Sequence, residues 1–375
     1  MKFEFFFTWF PFAVAGLVML VYVLPCRYPV RVQARWAMAL AAAAAKFAGF
    51  RLLGGNAFNP ELPSWVIWAW NLGYSTLFLL ALFGSAAFLA RLALRRAGIG
   101  LPAFRVALPL GAFLLAAWGV WCGLRMPDVR RLELDYPDLP AELDGFTIAH
   151  LSDLHVSSSA RRWRTERLTA IVNSLRPDLI AITGDIVDGR PEERYRDVEP
   201  LGGLSAPKGV WACAGNHEFY GPFRQWREIY ERLGVRCLSN ACVTFGPLAL
   251  GGVDDQATMY GIGGMRLPPD EGKTFAAATN GEFRVLLKHR PAGVDRNVAG
   301  HGVRLQLSGH THGGIGPGLR AFVAKANAGY VLGTYVFDDP RRAYLHVSSG
   351  SGQWAGFPVR IMNDAEIALI TLRRR

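Results

Sequence analysis

Acidic residues are nearly missing from the first third of this chain: residues 1–125 contain only Glu4 and Glu61, against 11 Lys+Arg. Charge is scarce throughout, at 19% of 375 residues against 51% hydrophobic, which excludes a disordered chain. Cysteine is scarce as well. Cys26, Cys122, Cys213, Cys237 and Cys242 form no CxxC pair, so neither a disulfide-stapled scaffold nor a cysteine-rich zinc module is in view. Cys213 lies in a strand-like apolar run and reads as a small buried hydrophobe; only Cys237 and Cys242 could bridge, and their spacing is no evidence that they do, which leaves the redox compartment open. Internal repeats are absent. The net charge of +11 would suggest nucleic acid if it were spread over one basic domain, but the 250 residues after Arg125 carry 30 Lys+Arg against 28 Asp+Glu. No nucleic-acid partner is expected.

What the first third has instead is long apolar runs. Phe5–Leu24, Ser64–Ala90 and Val106–Leu124 hold no charge and approach or exceed the roughly 20 residues that cross a bilayer as a helix. Trp36–Leu53 is Ala-rich but carries Lys46 and Arg51, and a charge near a helix centre costs about 2.5–3.5 kcal/mol. Loop arginines decide the count. Arg27, Arg31 and Arg35 follow the first run, and Arg91, Arg95, Arg96 and Arg105 separate the last two. Because Lys and Arg in short loops stay cytoplasmic, both groups share one side only with four spans, and Gly54–Pro63, lacking Lys and Arg, then faces out. The expectation is four transmembrane helices (5–24, 36–53, 64–90, 106–124) within residues 1–125, with the chain beyond Leu124 outside the cytoplasm. Arg125, Arg130 and Arg131 weigh against that orientation. The first run exceeds a signal-peptide core and lacks a small-x-small cleavage site, so it reads as an anchor.

Residues 126–144, charged and Pro-containing, read as a linker or a first sheet edge, and 145–375 as one α/β domain. In that domain apolar strand-like runs end in polar clusters. His150-Leu-Ser-Asp153-Leu-His155 closes the run from Phe146, Gly184-Asp185-Ile-Val-Asp188 follows Leu179–Thr183, and Gly215-Asn216-His217-Glu218 follows Val210–Ala214. Lys288-His289-Arg290-Pro291 follows Phe283–Leu287, and Gly309-His310-Thr311-His312-Gly313-Gly314 follows Val303–Leu307. A sheet would carry all five clusters to one rim, where open α/β sheets bind ligands. Each motif alone is an ordinary loop; five in succession, holding His155, His217, His289, His310 and His312 of the chain's eight histidines, are not explained by packing.

Carboxylate, amide and imidazole donors without thiolate suit Mn, Fe or Zn in a reactive site. Asp153, His155, Asp185, Asn216, His289, His310 and His312 are too many for one ion and enough for two if one carboxylate bridges. Two such ions can hold a bridging hydroxide and stabilise both oxygens of a phosphoryl transfer.

The motifs D-x-H, G-D, G-N-H-E, a later His and G-H-x-H resemble, in order and identity, the calcineurin-like metallophosphoesterases. H-x-S-D-x-H, Gly251-Gly-Val-Asp-Asp255, G-H-T-H-G-G and the late Glu366-Ile367 look like a bacterial membrane-attached branch, with YkuE-type and YaeI-type phosphodiesterases and UDP-diacylglucosamine pyrophosphatases. The resemblance covers about Phe146–Leu372. It implies an α/β/β/α sandwich of two facing mixed sheets flanked by helices, and two divalent ions. One ion would be held by Asp153, His155 and His312, the other by Asn216, His289 and His310, with Asp185 bridging and His217 contacting the phosphate and protonating the leaving oxygen. Glu218 either orients His217 or is a solvated loop acid; His301 and His346 read as structural. Where the branch often has Arg-Pro-Glu-Ile, this chain has Asn363-Asp-Ala-Glu-Ile367, which bears on the substrate end and not on the metals. The implied substrate is a phosphomonoester, phosphodiester or pyrophosphate, lipid-linked if the site works beside a bacterial inner membrane; oligomeric state is open. A competing reading makes the helices a transport or sensor module with a regulatory metal-binding domain, but the spans lack paired acids and Gly/Pro-interrupted helices.

Overall fold

The computed structural model describes residues 2–54, 59–95, 104–260, 268–276, 278, 281–314, 316, 319–338, 341–357 and 359–375. The chain divides into two units: Met1–Leu124 with Ala355–Ile361, and Arg125–Trp354 with Met362–Arg375.

The helical unit holds α1 (Lys2–Val18), which continues through a π turn to Val23, α2 (Val30–Ala44), α3 (Lys46–Leu53), α4 (Ser64–Arg95) and α5 (Phe104–Leu124). Stretches of α4 and α5, Ser64–Ala93 and Arg105–Leu124, are long and apolar enough to cross a membrane; Thr8–Val23 is apolar but shorter. The span expected over 36–53 is instead broken at Ala45, where α2 and α3 bend by 59°. Counting that pair as one span gives three. Lys46 explains the break. Its ammonium donates to the Gly356 carbonyl and lies over the rings of Phe47, Phe50 and Tyr74, so the charge is buried against acceptors a straight lipid-facing helix would not offer. Ala355–Ile361 is thus part of this unit's interior: Asn71 Nδ2 donates to the Ala355 carbonyl at 3.3 Å and the Arg360 amide to Gly119 at 2.9 Å. Gly119 permits this approach, since a Cβ there would sit 2.7 Å from Val359 Cγ1. Residues 55–58 of the short loop expected to face out and 96–103 of the second basic loop lie outside the described residues.

The second unit begins at β1 (Asp128–Asp135), inside the stretch expected as linker or edge, and β1 pairs in parallel with the last strand, β12 (Glu366–Arg373). Between them come β2 (Thr147–Leu151), α6 (Arg162–Ser174), β3 (Leu179–Thr183), α7 (Pro191–Val198), β4 (Val210–Cys213), α8 (Phe223–Arg232) and β5 (Val235–Cys237). Then follow β6 (Ala241–Phe245), β7 (Leu248–Gly252), α9 (Glu271–Thr274), β8 (Phe283–Leu287), α10 (Val294–His301), β9 (Val303–Ser308), α11 (Arg320–Ala326), β10 (Gly333–Phe337) and β11 (Ala343–Val347). They form two six-stranded mixed sheets, ordered β1-β12-β2-β3-β4-β5 and β10-β11-β9-β8-β7-β6. Period-2 alternation assigns each face. Leu179 and Ala181 of β3 join Val285 and Leu287 of β8 in the core between the sheets, while Ile180 and Ile182 meet Leu168, Val172 and Trp226 under α6 and α8. On the other side Val294 and Val298 of α10 cover Leu345 and Val347. Burial on both faces explains why β3 is apolar almost throughout.

Parallel pairing does the positioning. β2, β3 and β4 are parallel neighbours in one sheet, as are β8 and β9 in the other, so each group presents the ends of its strands at a single edge.

Leu179 is fully buried between the sheets, so Leu179→Ala should cost about 2–5 kcal/mol. Chemical unfolding should show that as a lowered midpoint, with a smaller loss for Val243→Ala on the half-buried edge strand β6; equal losses would contradict this core.

Candidate metal centre

The loops after β2, β3, β4, β8 and β9 carry the seven expected ligands and His217. Five of the seven, Asp153, His155, Asp185, His310 and His312, have φ between 43° and 68°, in the left-handed region that side chains avoid. Such backbone strain persists only where the surroundings over-determine it, and here it coincides with the polar clusters.

The side chains converge. Asp153, His155 and His312 can place one ligand atom each within 4.8 Å of one another, as can Asp185, His289 and His310, and also His155, Asp185 and His217. His155 Nε2 and His312 Nε2 are 3.2 Å apart, and Asp153 Oδ1 is 3.5 Å from His312 Nε2. Asp185 lies between the groups. Its Oδ1 accepts the His217 amide at 2.8 Å, which leaves Oδ2 3.3 Å from His289 Nε2 and 3.8 Å from His155 Nε2. Asn216 Nδ2 donates to the Tyr220 hydroxyl at 3.2 Å, which directs the amide and fixes Oδ1 as the other pole.

The supporting contacts set which atoms are available. His289 Nδ1 donates to the Thr183 carbonyl at 2.7 Å, so Nε2 is the atom turned to Asp185. Ser152 Oγ donates to Asp153 Oδ2 at 2.6 Å, and the His310 amide reaches the same oxygen at 3.0 Å. Gly309 keeps this tight, because a Cβ there would lie 1.8 Å from Ser152 Oγ.

Asp188 is the residue the sequence reading left without a role. One carboxylate oxygen faces His155 Nδ1 at 3.1 Å and the other His217 Nδ1 at 2.6 Å, so a single buried acid orients a candidate ligand and the candidate acid together. Its signal in the sequence is its place in G-D-x-x-D, three residues after Asp185. Glu218, expected either to orient His217 or to be solvated, does neither. It is buried, and its carboxylate accepts the amides of Asp185, Ile186 and Gly215 at 2.7–2.9 Å, joining the loops after β3 and β4. His150 is turned away, bonding Thr183 Oγ1 at 2.8 Å and packing on His346. His346 is buried there, and the His301 carbonyl accepts from Arg284.

Electrostatics follow from this crowding. Burial opposes charge on His217, but Asp188 and Asp185 outweigh it and raise the imidazole to about 9. His289 rises to about 10 for the same reason, with Asp185 as the raising neighbour. Burial, then Arg290 and His289, push His310 well down. Asp188 stays far below the carboxylate range despite burial, held by His155 and His217. Buried carboxylates and imidazoles that must otherwise share protons are a donor set suited to divalent cations. The residues present therefore fit two such ions by donor type, by number and by the shared Asp185 oxygen.

Residues 146–314 match the family model of the calcineurin-like phosphoesterases. A metallophosphoesterase of Caenorhabditis elegans is 31% identical over 277 residues, covering 71% of this chain and 56% of that protein. A transmembrane protein with metallophosphoesterase domain of Danio rerio is 29% identical over 70% of this chain and 61% of its own length. A metallophosphoesterase of Aquifex aeolicus is 30% identical, over 60% of this chain and 84% of its own. The chain thus spans about three fifths or less of the first two, and the likeness extends to animal proteins beyond the bacterial branch that the motifs resemble. Motifs, two-sheet fold and likeness agree: the chain belongs to the calcineurin-like phosphoesterase family.

Proposed function

We propose that this protein is a membrane-anchored hydrolase of phosphoesters that uses two divalent ions, Mn, Fe or Zn. The observation that carries the reading is Asp185 Oδ2, which faces His289 of one candidate ligand group and His155 of the other. One ion would be held by Asp153, His155 and His312, the second by Asn216, His289 and His310, with Asp185 shared. Bound there, the ions would supply positive charge for phosphoryl oxygens and a nucleophile derived from water. The chain supplies the rest. His217, kept protonated by Asp188, presents Nε2 4.0 Å from Asp185 Oδ2 and gives a proton to the leaving oxygen. Asp188 restores the imidazole's orientation after each turnover, and Glu218 holds the two loops in register.

Residues 1–125 form the membrane part in this reading, with four crossings and with Ala355–Ile361 packed into it, and the rest of 145–375 with β1 forms the hydrolase, outside the cytoplasm. Outward-facing Met38, Leu89, Val106 and Trp118 support a lipid surround. A substrate carrying a lipid, such as a UDP-diacylglucosamine-like precursor, fits a phosphoesterase attached to such helices. Reporter fusions after Arg131 should be active only outside the cytoplasm; cytoplasmic activity would overturn the orientation.

Purified full-length chain, stripped and reloaded with Mn, should hydrolyse bis-p-nitrophenyl phosphate, and Asp185→Ala should lose both turnover and metal. His217→Ala should lower kcat by about 10²–10⁴ with metal content retained. Absence of turnover with every divalent ion would sink the hydrolase reading.

Metal must displace the proton that Asp185 holds on His289. The His289 imidazole is protonated below about 10, so metal affinity should rise with pH across the neutral range. Calorimetric titration in buffers of different ionisation heat should show proton release on Mn binding; a buffer-independent heat would contradict it.

A further inference from the structure

Arg290 follows the candidate ligand His289 and has no part in the reading above. Its Nε donates to Asp255 at 2.9 and 3.2 Å, and Asp255 is itself buried and fixed by the Ala257 amide at 2.8 Å. That anchor leaves the far edge of the guanidinium aimed at the metal centre. Nη2 is 3.4 Å from Asn216 Oδ1, and Nη1 has no hydrogen-bond partner among the described residues. The side chain is 28% exposed, enough for a solute to reach it.

The position is costly unless something anionic comes between. A divalent ion on Asn216 Oδ1 would stand about 2 Å from that oxygen, which brings a permanent cation close to a dication. Asp255 offsets one unit of that charge and no more. A phosphoryl oxyanion between guanidinium and metal turns the repulsion into two attractions, and arginine's planar fork suits that geometry.

We propose that Arg290 binds a non-bridging oxygen of the phosphoryl group under attack, with Asp255 as the positioning residue that aims it. The proposal rests on the two-metal reading and adds a substrate contact from a residue outside the expected ligand set. It makes Arg290 a catalytic residue by contact with substrate, and it makes recognition of the phosphoryl group partly independent of the metals.

The test uses full-length chain reloaded with Mn, bis-p-nitrophenyl phosphate as substrate and inorganic phosphate as competitive inhibitor. Arg290→Ala should raise KM and the phosphate inhibition constant about ten- to hundredfold, the range for a lost charge-assisted hydrogen bond, with Mn content unchanged. Arg290→Lys should recover part of the phosphate affinity. Asp255→Asn should weaken phosphate binding less, and should add nothing in the Arg290→Ala background. Unchanged KM and phosphate inhibition in Arg290→Ala would overturn the proposal, as would loss of Mn in Arg290→Lys, since Arg290 would then act through Asn216. Additive effects of the Asp255 and Arg290 substitutions would overturn the positioning role. Lack of turnover in the wild type would instead indict the hydrolase reading, so the two failures are distinct.

Discussion

The candidate metal centre depends on one carboxylate held so that its two oxygens do different work. Asp185 Oδ1 is occupied by the His217 amide, and its own amide is held by Glu218. The other oxygen is therefore turned to imidazoles from two sheets. Gly215 makes the approach possible: a Cβ there would fall 2.2 Å from Asp185 Oδ1. A site of this kind is assembled from backbone as much as from side chains.

That assembly works against the chain's local preferences. Left-handed backbone at a non-glycine residue costs of order 1–3 kcal/mol, and five candidate ligands adopt it. Buried acids beside it would be expelled in isolation. The two-sided core around β3 and β8 holds the strand ends rigidly enough to enforce both, and Glu218 and Asp188 convert exposed costs into hydrogen-bonded pairs. The strain falls at strand ends for that reason: only there is the backbone free of ladder bonds and still anchored by them.

Much of this was legible in the sequence because it is local. Each polar cluster follows its own strand, and the apolar runs at Leu179–Thr183 and Phe283–Leu287 announce where those strands stop. What was not legible depends on residues far apart in the chain. Asp188 gains its role only when folding brings His155 and His217 to its two oxygens. Glu218 looks like a loop acid until an amide of its own loop and two from the loop after β3 surround it. The stretch 126–144 left linker and sheet edge both open, because β1 is fixed by pairing with β12, more than 200 residues away. The broken helix at Ala45 was hidden for the same reason: the Gly356 carbonyl that receives Lys46 lies 310 residues further on.

One rule links the two units: a charge leaves water only against a partner made for it. Lys46 has a carbonyl and three aromatic faces, Asp188 two imidazoles, and Arg290 the buried Asp255. The surroundings differ in kind. Val106 is 71% exposed and Met38 65%, apolar surface that water would penalise and lipid would not. The +11 of the whole chain therefore reports two separate physical demands. In the helical third, loop arginines bear on topology and the one deeply buried lysine on packing. In the near-neutral remainder, Arg290 is held by the buried Asp255 beside the candidate ligand Asn216.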